Sequence, residues 1–154
     1  MILSGRDIKW YIESGKLSIF PMSENQFREN GVDLILSSKG LNLFSDSKTE
    51  TLPHGISCLL CTQETLGMPD DLMGFVELRS TWARRGLILP PTIIDAGFIG
   101  EITLEVFNGG KDIPIPVGQR FAHIVFAKLT NPTIPYNGKY QLQKGPTKAI
   151  MDKE

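Results

Sequence analysis

Apolar positions along this chain come in short runs with a period near two, and clusters of turn residues separate the runs. The first segment is different. Ser4 is a good helix N-cap, Asp7 follows three residues later as an imperfect capping box, and Ile8, Tyr11 and Ile12 keep helical spacing until Gly15 can end the turn. The pattern predicts one short helix over 4–14, then a strand over 17–20 stopped by Pro21. A second strand over 32–36 is entered through Asn30-Gly31. Residues 37–55 are polar and turn-rich and read as loops with a short strand. Further strands are predicted over 56–64, 73–79, 87–89, 101–107, 113–115 and 121–128. One interruption, 80–85, reads as a turn or two of helix capped by Ser80 and closed by Gly86. Two apolar stretches flank Asp95-Ala96-Gly97, which reads as the corner of a hairpin. From about Thr130 the tail carries Pro132, Pro135, Gly138, Gly145 and Pro146, so it is no regular element but either disordered or an arm or lid. Many short strands at this spacing predict a mainly-β fold: an antiparallel sandwich, jelly roll or barrel.

A length of 154 residues suits one domain. With 41% hydrophobic and 21% charged residues, the chain has the composition of a globular domain that folds without staples. A formal net charge of −1 argues against a broad nucleic-acid footprint, though not against a local nest of arginines for a small anion. No apolar run approaches a membrane span, and the N-terminus turns polar too early for a signal peptide. The expected location is the cytoplasm, with no membrane partner. Cys58 and Cys61 are the only cysteines, so no disulfide framework is expected.

Two segments could carry chemistry. In the first, Glu77-Leu78-Arg79-Ser80-Thr81-Trp82-Ala83-Arg84-Arg85-Gly86, a strand runs into a short helix. A helix start offers free N–H groups, Arg79 sits there, and Ser80 and Arg84 lie one turn apart on one face. That set suits a phosphate, since arginine offers a bidentate fork; solvated arginines on a surface helix are the plainer reading. In the second, period two puts Ile102, Leu104 and Val106 on one strand face and Glu101, Thr103, Glu105 and Phe107 on the other. Glutamate is depleted in mid-strand, so Glu105 is either a solvent-facing side chain or a functional carboxylate.

Arg79-Ser80-Thr81-Trp82-Ala83-Arg84, then Ile94-Asp95-Ala96-Gly97-Phe98-Ile99-Gly100 and Ile102-Thr103-Leu104-Glu105, resemble the dCTP deaminase family, which shares a fold with the trimeric dUTPases. The resemblance extends to Met1-Ile2-Leu3-Ser4 with Asp7-Ile8, to Gly31-Val32-Asp33-Leu34, and to Pro135-Tyr136 and 139–147 in the tail. It departs at Thr81 for a serine, Ala96 for a proline and Leu142 for a glycine, and 154 residues is short for a deaminase. The resemblance implies a distorted jelly-roll (β-clip) fold of the trimeric dUTPase type, a short N-terminal helix, and 130–154 as an arm closing on the nucleotide. It also implies a homotrimer with active sites between subunits. The activity it implies is deamination of dCTP to dUTP, with dUTP as a further substrate and dTTP as a candidate inhibitor. By position, Glu105 matches the general base. Ser80 and Arg84 match residues around the attacking water and the phosphates, and Arg79 a residue at the shared site. Asp95 matches the aspartate near the deoxyribose, which activates water in the hydrolase branch. Phe98 lies where dUTPases carry an aromatic that can rest against the sugar, with plain packing as the alternative reading. Tyr136, Lys139 and Gln143 match arm residues that close on the triphosphate. Magnesium is expected to enter on the triphosphate, held by phosphate oxygens and water rather than by a protein cage.

Three other readings compete. Cys58-Leu59-Leu60-Cys61 is a CxxC, but the His-x-Glu of zinc deaminases is missing at His54-Gly55-Ile56 and no proline precedes Cys58, so both cysteines read as small core residues and no zinc is expected. Strand alternation groups His123 with Phe121 and Val125 as a core or interface histidine, and Trp10 and Trp82 read as packing residues. The nearest rival reaction is hydrolysis of dUTP to dUMP and pyrophosphate, alone or after deamination. Asp95 fits either; Glu105 favours deamination, because trimeric dUTPases resemble this chain but carry an apolar residue there. A nucleotide-sensing module without turnover is the third alternative, and an intact Glu105 argues against it.

Overall fold

The computed structural model describes residues 1–39 and 51–151. Helix α1 (Gly5–Glu13) starts as the sequence predicts: the Ser4 side chain accepts from the Asp7 N–H, and the Asp7 carboxylate accepts from the Ser4 N–H, closing a full capping box. Its buried side, Ile8 and Tyr11, packs on the core. Trp10 on the other side is 53% exposed, set edge-on to Tyr11 with Lys16 over its ring, so it is not the packing residue expected.

The strands follow in the order β1 (Ser18–Phe20), β2 (Phe27–Arg28), β3 (Gly31–Ile35), β4 (Thr51–Leu52), β5 (Ser57–Gly67) and β6 (Leu72–Leu78). After helix α2 (Ser80–Ala83) come β7 (Leu87–Ile88), β8 (Thr92–Ile94), β9 (Ile99–Asn108), β10 (Ile113–Pro114) and β11 (Arg120–Lys128). Two antiparallel sheets dominate, with strand orders β1-β5-β9-β7 and β2-β3-β11-β6-β8; β10 and β4 form a small ribbon. Of the loop predicted over 37–55, residues 40–50 lie outside the described residues, and the short strand within it is β4.

The core lies between the two large sheets. Leu60 on β5, Leu104 and Val106 on β9, and Phe121, Ile124 and Phe126 on β11 are all essentially inaccessible. These are the inward positions of alternating strands, and burying such side chains contributes about 1.5–3 kcal/mol each relative to exposure. A bulge between Arg120 and Ala122 resets the alternation in β11. Ala122, Ile124 and Phe126 thereby face inward, while half-buried His123 points to the other face, away from Phe121.

The Asp95-Ala96-Gly97 corner is not a hairpin. β8 pairs with β6 in one sheet, whereas β9 pairs with β5 and β7 in the other. The corner therefore carries the chain from sheet to sheet, a long-range choice that local turn chemistry cannot reveal. Gly97 adopts φ +81, and a Cβ there would stand 2.4 Å from Pro135 Cβ, so glycine is needed both for the turn and for the close approach of the tail.

Glu64 of β5 is completely buried at a register shift between Cys61 and Thr65. Both carboxylate oxygens accept from the Ile35 N–H at 3.1 Å, and Oε1 accepts from Gln26 Nε2 at 2.7 Å. Burial outweighs these hydrogen bonds and pushes the Glu64 carboxyl from its ordinary 4.5 up to about 7. The folded state thus holds its proton more tightly than the unfolded chain. Its stabilising contribution is full below pH 4.5 and is lost as pH rises through about 7. Glu64→Gln, neutral at every pH, removes this slope. The stability difference between variant and wild type should shift in the variant's favour by roughly 3 kcal/mol between about pH 4 and 8. Denaturant unfolding across that range, with an unchanged difference as the contrary result, checks it.

Candidate active site

A pocket of about 370 Å³ opens on the outer face of β9. This is within the size range of small-molecule sites, roughly 300–1,000 Å³. Its floor comes from β9 and β5. Glu105 lies opposite Leu59 in the register, and Thr103 lies opposite Cys61. Period two therefore sends Leu59, Thr103 and Glu105 to the pocket side, while Cys58, Leu60, Leu104 and Val106 go to the core. The two cysteines of the CxxC consequently stand on opposite faces of β5, which is the wrong geometry for a shared ion. Burial alone pushes the Cys58 thiol up to about 11.

Asp95 and Phe98, from the crossover between the sheets, line the same pocket. Phe98 is buried, with its ring centroid 6.1 Å from that of Tyr136. Among the described residues, Asp95 and Glu105 are the two carboxylates that line the pocket, and both are exposed.

The remaining wall is the tail. Residues 129–151 form no helix or strand, yet they are laid along β9 by hydrogen bonds. Tyr136 N–H donates to Ala96 O, Leu142 N–H to Ile99 O, and Glu101 N–H to Gln143 O. Gln141 clamps the corner, donating from Nε2 to Gly97 O and accepting at Oε1 from Ile99 N–H. Leu142, a departure from the glycine that the resemblance implies, takes φ 62, the left-handed conformation that glycine adopts freely. Tyr136 and Gln143 line the pocket; Lys139 does not, its Nζ lying 5.7 Å from the Tyr140 ring centroid.

Arg79, Ser80 and Arg84 are elsewhere. None lines this pocket. The N-cap of α2 is Arg79 rather than Ser80, and no side chain caps it; Ser80 is the first helical residue. The expected Ser80 cap fails because the β6 strand ends one residue earlier than the polarity pattern suggests. Arg79 is fixed by Asp33 of β3, a carboxylate 2% exposed that also receives Arg28 Nε at 2.8 Å and faces His123 Nδ1 at 3.0 Å. Arg79 Nε is 3.2 Å from Asp33 Oδ2, and Arg120 Nη1 is 4.0 Å from it. Trp82 is buried and donates from Nε1 to Arg120 O, so it is a packing residue as expected. Beside it a groove of about 620 Å³ is lined by Arg79, Arg85 and Arg120, a positive surface suited to an anion. Sequence reasoning assigned no role to Asp33, Arg28 or Arg120. The Gly31-Val32-Asp33-Leu34 match was the one signal, and a charged residue inside a buried strand was the physical clue within it.

The fold is the β fold shared by dCTP deaminases and dUTPases. The 2′-deoxycytidine 5′-triphosphate deaminase from Agrobacterium tumefaciens superposes with a TM-score of 0.67 at 19% identity, over 83% of this chain and 47% of that one. This chain therefore spans about half the length of that protein. Native EIAV dUTPase superposes with a TM-score of 0.54 at 25% identity, over 80% of this chain and 98% of that one. Residues 42–129 match the family model described as dCTP deaminase-like, and the chain belongs to that family. Among its relatives, a dCTP deaminase from Hyperthermus butylicus is 43% identical over 96% of this chain and 97% of its own. A probable deoxyuridine 5′-triphosphate nucleotidohydrolase of Sulfolobus islandicus rod-shaped virus 1 is 45% identical over 99% of this chain and 100% of its own.

Proposed function

We propose that this protein deaminates dCTP to dUTP and ammonia, with Glu105 as general base. The observation that carries this reading is the placement of Glu105: a mid-strand carboxylate, with no side-chain hydrogen bond among the described residues, directed into a pocket that also holds Asp95, Phe98 and Tyr136. Water attacks C4 of the cytosine while Glu105 takes its proton. Glu105 passes that proton to N3 and then carries the C4 hydroxyl proton to the departing amine, so the tetrahedral centre collapses to the C4 carbonyl and N3–H of dUTP and free ammonia. Such a positioned acid–base group contributes typically ~10²–10⁴-fold. Phe98 and Tyr136 give the deoxyribose an apolar wall, and Asp95 offers it an acceptor.

The triphosphate needs cations, and the pocket lining supplies none. Arg79 and Arg84 on another part of the surface supply them, and Ser80 a hydroxyl donor, if a neighbouring subunit brings its α2 to the pocket mouth. This supports a homotrimer with sites between subunits. Mg²⁺ would arrive on the triphosphate and neutralise its oxygens, since two separated carboxylates do not make an oxygen cage. Gln143 faces the phosphates from the arm, and Lys139, outside the pocket lining, would have to swing from the Tyr140 ring to join it. Two buried thiols suit a reducing compartment, in keeping with a cytoplasmic enzyme. Among the described residues no helix is long and apolar enough to cross a membrane.

Asp95 in the same pocket, together with the viral relative's name, favours a second reading, in which dUTP is hydrolysed to dUMP and pyrophosphate with or without prior deamination. Incubation with Mg²⁺ and dCTP, and separately with dUTP, followed by anion-exchange separation, decides between them. The expected result is dUTP and ammonia from dCTP, and unchanged dUTP in the second tube. dUMP from dCTP would make the enzyme bifunctional. Intact dCTP with dUMP from dUTP would overturn the deaminase reading and make Asp95 the catalytic residue.

A further inference from the structure

Glu101 lies outside the pocket and is 4% exposed, although strand alternation places it on the solvent side of β9. A carboxylate this deeply covered is costly unless its oxygens are paired. Both are. Lys39, just after β3, donates to Oε1, and this partner holds the Lys39 ammonium above its ordinary range. The Gly145 N–H of the arm donates to Oε2 at 2.6 Å. The backbone of Glu101 adds two more links, donating to Gln143 O at 3.0 Å and accepting from Gln143 Nε2 at 2.7 Å. Two residues later on the same face, Thr103 Oγ1 accepts from the Thr147 N–H at 3.0 Å. The arm thus has its strongest anchor at Glu101, and the anchor joins three segments distant in sequence.

This anchor bears on the pocket. Five of its fourteen lining residues, Tyr136, Tyr140, Gln143, Thr147 and Ala149, belong to the arm. The arm has no strand or helix hydrogen bonds of its own to hold its shape. Its first part is tied to the corner and to the loop before β6, through Thr133 N–H to Asp70 O, Tyr136 N–H to Ala96 O and Gln141 Nε2 to Gly97 O. Its part from Leu142 on depends on the links to β9, where a charge-assisted bond from a buried carboxylate is stronger than the neutral ones around it.

We propose that Glu101 is a positioning residue for the nucleotide site: with Lys39 as its counter-ion it fixes the arm against β9 and so holds Gln143 and Thr147 at the pocket wall. The proposal rests on the nucleotide-processing reading above. Glu101 touches no reacting atom, so its loss acts on substrate capture and leaves the chemical step alone.

The test uses the full-length protein with Glu101→Ala, Glu101→Gln and Lys39→Met. Hydrogen exchange is followed in peptides covering 99–104 and 140–151, and steady-state kinetics are measured with dCTP and Mg²⁺. Glu101→Ala should speed exchange of the arm amides about tenfold and raise KM about tenfold, with kcat within about twofold of wild type. Glu101→Gln keeps an acceptor for Gly145 but not the ion pair, so it should restore part of both effects. Lys39→Met should show a smaller change in the same direction. Unchanged exchange in the arm, or a fall in kcat at constant KM, would overturn the proposal. Should Glu101→Ala fail to fold, Glu101→Gln and Lys39→Met decide by the same two readouts. If wild type turns over neither dCTP nor dUTP, the functional reading fails on its own. The exchange data then decide whether Glu101 holds the arm.

Discussion

Glu105→Gln stops ammonia release from dCTP, lowering kcat by about 10²–10⁴-fold, while dCTP still binds with an affinity close to that of wild type. The amide is nearly isosteric and can still accept a hydrogen bond, but it cannot take a proton from water. It lies on the pocket side of β9, and its backbone pairs with Leu59, so the swap disturbs neither core nor register. The loss should therefore fall on the chemical step. Coupled ammonia detection together with calorimetric binding of dCTP separates the two effects. A variant that still released ammonia at the wild-type rate would remove Glu105 from the mechanism. A variant that lost binding and turnover together would make it a substrate anchor instead. The companion variant Asp95→Asn tests the other carboxylate, and abolished dUTP hydrolysis with retained deamination would assign the two reactions to the two carboxylates.

The second large effect concerns the missing cations. Arg84→Ala and Glu105→Gln should each be nearly inactive alone, yet activity should return when the two are mixed, unfolded and refolded together. In one chain Glu105 lines the pocket, and Arg84, on the short helix α2, does not. If each site combines Glu105 of one subunit with Arg84 of a neighbour, random mixing leaves some sites with both intact. Roughly a quarter of the sites would be complete, with activity to match. No recovery above either parent would place the whole site within one chain. It would then require α2 to move relative to β9, or a different set of phosphate ligands. The clamp of Asp33 on Arg79 argues for a fixed α2, since that carboxylate ties the end of β6 to β2, β3 and β11 through Arg79, Arg28 and His123.

Much of this fold can be read from the chain before any coordinates. Helix α1 announces itself through Ser4 and Asp7, because a capping box is a local hydrogen-bond pattern spanning three residues. Strands β5, β6, β9 and β11 lie within a few residues of their expected positions, because each has one face in the core and the alternation of apolar side chains records that face. Glu105 and Asp95 are singled out by the resemblance of their segments to a known family, because the local pattern alone leaves Glu105 open between a solvent-facing and a functional carboxylate and reads the Asp95 corner as a hairpin.

Other features depend on contacts between distant segments, and there local signals are silent or misleading. The Asp95 corner reads as a hairpin, yet β8 and β9 belong to different sheets, because partners β6 and β5 compete for them from elsewhere in the chain. Glu101 and Glu105 look alike as outward residues of one strand. Only the docked arm makes the first a buried anchor and leaves the second facing a pocket. Alternation puts Glu64 on the inward face of β5 with Cys58, Leu60 and Leu66, but only the tertiary structure supplies the partners, Gln26 Nε2 and Ile35 N–H, that make a buried carboxyl tolerable there. Asp33 becomes a hub because β2, β3, β6 and β11 converge on it. Side-chain periodicity fixes which face a residue takes, since that is a property of the backbone. What covers that face is decided by elements far away in sequence, and for this protein that covering separates a buried, paired carboxylate from one that faces a pocket.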